Sequence, residues 1–508
     1  MLFLERLHQN CLNHGSKTAI EFRSEDSTER ISYLSLWRRT AATAAWLDAQ
    51  GVCPGDRVAV CLPKSLAAIQ LHLAACRMGA VSMPLNSAYS APELKYLLED
   101  SGAKILVTQD QHSRNTGAGG LGVDSPARIA AVDPDSFHRS LSAAEIRLDK
   151  VNLSHDSPAL MLYTSGTTGH PKGALMSHGS LTANIDMLGQ AWQWSADDVL
   201  LHVLPMFHVH GLLVALHGAL HAGASAIVRP SFDASTALRD LGGKDCTVFM
   251  AVPTMYRRLL AALGDSKADL RHMRLLTSGS DRLPVEVFEA IEEHLGHRVV
   301  ERYGMTETGI MLSNPVDGTR IAGQVGIPLP GVEMRIVGQD SGAPCDRGEV
   351  GELQTRGPHL FLGYWNDPGK TGSAFTKDGW FRTGDLGMCD SSGRFELKGR
   401  MTELIITGGF NVYPTEVEHV LARHAGVVQC AVAGIPDADW GEAVTAFVVR
   451  ADGSTNAAEL IRHCRTSLAA YKSPKRVVFV DALPRNAMGK VQKQALVAGL
   501  AEASLEQA

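Results

Sequence analysis

Apolar runs rich in β-branched residues alternate, along the first part of the chain, with apolar positions at helical spacing. Arg57-Val58-Ala59-Val60-Cys61-Leu62 predicts a buried strand, Ser65 to Met78 a helix, Ala80 to Leu85 a second strand and Lys104 to Thr108 a third. Strand, helix and strand in that order predict a crossover unit, and hence a parallel sheet covered by helices. Ala159 to Tyr163 and Arg298 to Val300 read as further strands, whereas the Gly-, Ser- and Ala-rich stretch from Gln111 to Asp135 reads as a loop-rich excursion. Glu349 to Thr355 and Gly393 to Lys398 carry the half-exposed pattern of a more antiparallel region. After Gly399 the pattern restarts, with helices over Glu416 to His424 and Ala457 to Leu468 and strands over Val427 to Ile435 and Ala443 to Arg450. The expected fold class is α/β. Residues 1–399 form a large N-terminal domain of layered, mostly parallel sheets with helices and a smaller antiparallel region, and residues 400–508 form a small α+β domain.

Composition narrows the function classes. A net charge of −6 argues against a bulk electrostatic grip on nucleic acid or anionic membrane. Hydrophobic residues at 45% and charged residues at 20% are globular values, which excludes disordered and fibrous chains. The nine cysteines are scattered without a CxxC pair, so no zinc ribbon or dithiol site is expected, and reduced thiols in a cytoplasmic protein are. The N-terminus lacks the basic start and long apolar run of a signal peptide. The most apolar stretch, Leu201 to Ala224, is broken by His202, His208, His210, His217 and His221, so no membrane span is expected.

Five segments carry candidate chemistry. Thr164-Ser165-Gly166-Thr167-Thr168-Gly169 follows a strand and offers small residues whose N–H and hydroxyl groups can approach a polyphosphate, with Lys172 adding a charge. It departs from the P-loop pattern, because Gly173 follows Lys172 where Ser or Thr would be required. In Glu301-Arg302-Tyr303-Gly304-Met305-Thr306-Glu307, Glu307 beside Thr306 could hold Mg²⁺ and Tyr303 could face a nucleobase. Taken alone, the same segment could be a helix N-cap with a first-turn acid. Asp385, in a Gly-flanked turn, could accept the two hydroxyls of a ribose or cap a hairpin. The remaining two segments are Gly399-Arg400 with Gly408-Gly409-Phe410, and Pro484-Arg485-Asn486-Ala487-Met488-Gly489-Lys490.

Together and in this order, the five segments resemble the adenylate-forming superfamily of acyl-CoA synthetases, peptide-synthetase adenylation domains and luciferases, over nearly the whole chain. The resemblance implies a mobile C-terminal lid and two half-reactions. A carboxylate attacks the α-phosphorus of ATP, and a thiol then displaces AMP. It implies that Thr164, Ser165, Gly166, Thr167, Thr168, Gly169 and Lys172 form the phosphate loop, that Thr306 touches the α-phosphate and that Glu307 holds Mg²⁺. Tyr303 would flank the adenine, Asp385 and Arg400 would hold the ribose, and Gly279, Ser280, Asp281, Glu301, Gly304 and Met305 would complete the nucleotide site. Lys490 would bridge carboxylate and phosphate oxygens during adenylation, and Gly408, Gly409 and Phe410 would line a tunnel for the arm of coenzyme A. Both acids of the first step are anions, so cations and fixed dipoles are the groups that step needs.

The segments Leu204 to Gly211 and Pro253 to Arg258, with Arg302, are similar to those of malonyl- and methylmalonyl-CoA synthetases. That likeness implies that His208, Arg258 and Arg302 face the distal carboxylate of a dicarboxylic acid, for which an arginine fork is suited. Alternatives are a short- or medium-chain or aryl acyl-CoA ligase, an adenylation enzyme loading a carrier protein in trans, and a nucleotide-binding protein without catalysis. The chain departs from the family pattern at Asp281-Arg282, which places two charges beside the expected acid site, and at Thr402, where Asp or Lys is usual.

Overall fold

A computed structural model describes residues 1–109, 127–141, 152–164, 171–339, 341–437, 439–486 and 490–505, the side chains of 501–505 excepted. The chain divides into two compact units, Met1–Glu333 with Thr355–Phe381, and Met334–Gln354 with Arg382–Ala508.

The first unit holds two large sheets. In one, strands Arg57–Cys61, Val81–Pro84, Ile105–Gln109 and Arg128–Val132 run parallel, with Pro158–Thr164 parallel to Val81–Pro84. Strands Lys172–Ser177 and Gly363–Tyr364 close one edge antiparallel. In the other, Val300–Met305, Leu275–Ser278, Val248–Ala251, Val199–His202, Ser225–Val228 and Thr18–Arg23 lie side by side and parallel. The crossover read from the sequence is present. Helix Leu66–Arg77 joins Arg57–Cys61 to Val81–Pro84, and the Ser65 hydroxyl accepts from Ala68 N at 3.2 Å to cap it. The helix is buried along nearly its whole length, which fits one sandwiched within a layered α/β unit. Arg128–Val132 is a strand inside the stretch expected to be loop-rich. Its register is set by parallel pairing to Ile105–Gln109 rather than by apolar periodicity, since Val132 alone among its residues is buried.

Most of strands Gly351–Arg356 and Phe381–Cys389, with all of Phe395–Arg400, falls in the second unit, and the three belong to a four-stranded sheet. Residues beyond it build a small α+β body. Strands Ile405–Thr407, Phe410–Val412, Val427–Asp437, Gly441–Arg450 and Arg476–Phe479 share a sheet, and helices Pro414–Ala422 and Ala457–Ser467 cover a core containing Val417, Val444 and Leu460. Among the described residues no helix is long and apolar enough to cross a membrane.

The apolar stretch after strand Val199–His202 winds as a π-helix over His210–His217 and continues as an α-helix over Gly218–Ala222. His210 and His217 within it are buried. His72 Nε2 lies 2.7 Å from His217 Nε2, Phe3 stacks on His217 at 4.1 Å, and His202 Nε2 donates to Gly211 O at 2.8 Å. Burial holds His72 and His202 down to about 3, and His178, His208 and His359 down to about 4. The unfolded chain takes up these protons near pH 6.5 and the folded chain does not. Stability is therefore fully present above about pH 6.5 and is lost as the pH falls toward the folded values, by about 2 kcal/mol per buried histidine at about pH 5. A folded chain is typically stable by about 5–15 kcal/mol in all. Melting temperatures should be level near neutral pH and drop steeply below about pH 6. A melting temperature unchanged down to about pH 5 would contradict neutral, buried rings.

Candidate active site

Strands Pro158–Thr164 and Lys172–Ser177 form a hairpin whose ends pair Thr164 with Lys172. Thr164 and Lys172 are thereby fixed at the mouth of the loop, while Ser165, Gly166, Thr167, Thr168 and Gly169 lie outside the described residues. Burial, and then the neighbouring Lys370, lowers the Lys172 amine to about 8, while Asp367 and Glu307 act in the opposite direction. A phosphate held beside it would draw the amine back toward its ordinary value.

Glu301 to Met305 lies on the strand Val300–Met305 and Glu307 sits in the turn before strand Gly309–Ser313, so the segment is a hairpin and not a helix N-cap. The Glu307 carboxylate is buried, and its Oε1 accepts from the Tyr364 hydroxyl at 2.8 Å. Tyr364 pairs with Ala174 on the Lys172 strand, and Phe361 N donates to Glu307 O at 2.9 Å. The Gly363–Tyr364 edge strand thus ties the carboxylate turn to the lysine hairpin. Sequence reasoning missed Tyr364. Its signal was the aromatic pair Tyr364-Trp365 behind a glycine, which alone names no chemistry. Thr306 is half-buried in the same turn, and Tyr303 is buried on the strand. Gly304 has no room for a β-carbon against the Gly309 carbonyl, which the bulged pairing brings close, and Met305 N donates to Thr308 Oγ1 at 3.4 Å.

Alternation along the strand sends Glu301 and Arg302 to opposite faces. Glu301 Oε1 accepts from Gly323 N at 3.2 Å, and burial raises its carboxyl to about 8 against the pull of that bond and of Arg282. Arg302 is buried on the other face, beside Gly279, where a β-carbon would overlap its guanidinium. Among the described residues no carboxylate pairs with Arg302. Its Nη2 reaches Ser280 Oγ at 3.5 Å, its Nε has no hydrogen-bond partner, and burial lowers it to about 9. His210 Nδ1 meets the same Ser280 hydroxyl at 3.2 Å, and the Nε2 atoms of His208 and His210 are buried without partners among the described residues. Ser280 is held with φ +70°, a strained setting for a residue with a side chain, which aims its hydroxyl at this group. A buried guanidinium with an unpartnered Nε beside unpartnered polar side chains is a half-built anion site.

Arg258 is exposed on helix Pro253–Leu263, with its guanidinium 5.1 Å from the Phe232 ring, so it is not buried as Arg302 is. Asp281 is exposed and its Oδ1 accepts from Arg282 N at 2.9 Å, forming the turn after Ser280.

In the second unit, Asp385 and Arg400 face each other on paired strands, with Oδ1 to Nε at 2.7 Å. Gly408 and Gly409 form the two-residue turn between strands Ile405–Thr407 and Phe410–Val412, with φ of +58° and +81°. Successive positive φ values are what this tight hairpin needs, and glycine adopts them without strain. Phe410 is exposed and stacks on Tyr471 at 4.7 Å. Lys490 is exposed at the end of a short loop, where its N–H donates to Asn486 Oδ1 at 3.0 Å and its carbonyl accepts from Asn486 N at 2.9 Å. Beyond it, Lys493 bridges Glu403 at 3.1 Å and Glu418 at 2.8 Å, anchoring the loop to the turn that follows Arg400.

Two family profiles match the chain, one described as AMP-binding enzyme over residues 7–365 and one as AMP-binding enzyme C-terminal domain over 416–490. A malonate–CoA ligase of Xenopus laevis is 36% identical over 478 residues, covering 87% of this chain and 82% of that protein. A feruloyl-CoA synthase of an Amycolatopsis species is 36% identical over 466 residues, covering 91% and 92%. Among solved structures, ATP-bound MatB from Rhodopseudomonas palustris superposes with a TM-score of 0.92 at 42% identity, covering 98% of this chain and 99% of that one.

Proposed function

The chain belongs to the AMP-binding enzyme family, and on that premise we propose that it is an ATP-dependent acid–CoA ligase acting on malonate or methylmalonate. The reaction forms an acyl-adenylate with release of pyrophosphate, and then an acyl-CoA thioester with release of AMP. One observation carries the choice of acid. Among the described residues Arg302 is a buried guanidinium without a carboxylate of its own, with Ser280 within reach and His210 facing its charge. A short diacid brings the missing anion on the end remote from the reacting carboxylate, and an arginine fork matches it in two points. A feruloyl or medium-chain acid would leave that cation buried and unpaired.

The chain's own residues divide the first step between them. Lys172 and the loop that opens at Thr164 hold the triphosphate, and Thr306 donates to the α-phosphate. Glu307 presents a buried carboxylate held by the Tyr364 hydroxyl, and a carboxylate with phosphate oxygens is the donor set that suits Mg²⁺. Mg²⁺ held at Glu307 would supply positive charge to the phosphates. Tyr303, with Gly279, Ser280, Asp281, Glu301, Gly304 and Met305, forms the adenine side of the site, and Asp385 with Arg400 holds the ribose. Residues 400–508 act as the lid that brings Lys490 to the reacting oxygens and then presents Gly408, Gly409 and Phe410 to coenzyme A. A swing between the half-reactions reconciles pyrophosphate exit with thiol entry. The nine unbridged cysteines support the cytoplasm as the compartment.

A pyrophosphate-release screen tests the reading, with acetate, malonate, methylmalonate, succinate, octanoate and benzoate, each with and without CoA. Malonate and methylmalonate should rank first, and thioester should appear only with CoA. Octanoate or benzoate in first place would overturn the diacid assignment, and acyl transfer to a carrier protein but not to CoA would overturn the acceptor.

Gly409→Leu separates the half-reactions. A side chain there would stand in the path of the thiol arm, so adenylate should accumulate while thioester formation fails. The substitution also strains a left-handed position by about 1–2 kcal/mol, so Gly409→Asn, which tolerates that backbone, serves as the folded control. Equal loss of both half-reactions in the two variants would show that the turn is only structural.

A further inference from the structure

A cavity of about 290 Å³ lies in the first unit, and its wall includes Phe232, the ring 5.1 Å from the Arg258 guanidinium. Its lining follows the carboxyl ends of four parallel strands, Arg57–Cys61 and Val81–Pro84 from one sheet and Val199–His202 and Ser225–Val228 from the other. Carboxyl ends of parallel strands are where open α/β sheets bind ligands, and this volume is near the lower end for small-molecule sites, about 300 Å³. The walls are mostly apolar, with Met206, Phe207 and Phe232 prominent. The lining contains one cation, Lys64. Its stem keeps some surface, but its Nζ is sealed and has no hydrogen-bond partner among the described residues. Ser65 is spent on capping helix Leu66–Arg77, which leaves Lys64 directed inward from the residue before the cap. His72, also in the wall, is committed to Ser82 and His217.

We propose that this cavity is a second carboxylate site, which takes a flexible apolar chain whose terminal carboxylate is received by Lys64 Nζ. The inference rests on the acid–CoA ligase reading and deepens it. Met206 and Phe207 line the cavity and lead directly into His208 of the Arg302 group. The charge of Lys64 is felt at His202, His202 bears on His210, and His210 faces the charge of Arg302. Two buried cations thus act on neighbouring neutral imidazoles, and among the described residues neither has an anion. Burial lowers the Lys64 amine to about 7, as expected of an ammonium with no counter-charge. A short diacid satisfies Arg302, whereas a longer chain has methylenes for the apolar wall and a carboxylate for Lys64. The ligand has two sources, the far end of a longer diacid under activation or a free monocarboxylate held beside the substrate.

The full-length protein decides between them. Adenylation of malonate and of hexanedioate is followed by pyrophosphate release, and binding of hexanoate by saturation-transfer NMR, in wild type, Lys64→Met and Lys64→Arg. Support from the first source is turnover of hexanedioate by wild type, a loss of at least tenfold in its kcat/KM in Lys64→Met, recovery in Lys64→Arg, and malonate activity within about twofold throughout. Support from the second is hexanoate binding that Lys64→Met abolishes, with hexanedioate not activated. The proposal is overturned if wild type neither activates hexanedioate nor binds hexanoate, if Lys64→Met matches wild type for both, or if malonate and hexanedioate suffer equally. Lys64→Met removes an unpaired buried charge, so its melting temperature should hold or rise. Should it fail to fold, Lys64→Gln reads the same ratios. Wild type that ignores malonate but shows Lys64-dependent use of either probe would sink the Arg302 reading and leave this site standing.

Discussion

Lys490→Ala should slow acyl-adenylate formation by about 10²–10³-fold, the loss of about 2.7–4 kcal/mol expected when one preorganised charge contact is removed, and leave thiolysis of a supplied adenylate near the wild-type rate. The electrostatic demand is confined to the first step, when a carboxylate and a triphosphate must meet. In the second step a thiol meets a mixed anhydride, and no such pair of anions is brought together. The local structure makes this a clean substitution. The loop is closed by the Asn486 side chain and by backbone bonds at residue 490, which alanine preserves. Lys490 is exposed, so little packing is lost with its stem. Pyrophosphate exchange reads the first half-reaction, and AMP release from synthetic malonyl-adenylate plus CoA reads the second. Adenylate formation at the wild-type rate would show that Lys490 has another role, and equal loss in both assays would point to damage in the lid as a whole.

What could be read from the sequence and what could not divide along physical lines. Residues 57–85 were legible because both sheet strands are buried on two faces and the helix between them is buried nearly throughout, so apolar runs and a serine cap mark each boundary. Arg128–Val132 was not, because a mostly exposed edge strand is held by backbone pairing and carries no apolar period. At the site, the small residues after Thr164 and the acid at Glu307 announce phosphate and metal chemistry by residue type. Tyr364 and Lys64 could not be found in this way, since each acquires its meaning only from segments distant in sequence. Neighbours in sequence also mislead. Glu301 and Arg302 invite pairing, yet the strand continues to Met305 and turns them to opposite faces.

That separation fixes what Arg302→Met should do. kcat/KM for malonate should fall by about 30-fold or more relative to butyrate, since truncating one partner of a buried charge pair costs about 2–5 kcal/mol. The comparison is a difference measurement, in which the reacting carboxylate, the nucleotide site and the lid are common to both acids and cancel in the ratio. Only malonate brings a second charge, and without Arg302 that charge meets the Ser280 hydroxyl and the neutral His210 imidazole in place of a cation. Methionine retains much of the apolar stem, so the packing lost is confined to the guanidinium end that lies against Gly279. Were Arg302 a structural partner of Glu301, the variant would lose thermal stability and activity toward both acids alike. With Glu301 bound to Gly323 N and no carboxylate on Arg302 among the described residues, removal of the guanidinium takes away an uncompensated buried charge, and the melting temperature should hold or rise. Arg258 is exposed over Phe232 and can swing without disturbing a core, so the Arg258→Met, Arg302→Met pair measures whether the two share the carboxylate. A combined loss smaller than the product of the single losses would mean that they do. An unchanged malonate-to-butyrate ratio in the single and double variants would remove the diacid assignment and place the chain among general short- and medium-chain ligases. It would also leave Arg302 as a buried cation with no ligand, which is the arrangement least expected of a site that has no anion to bind.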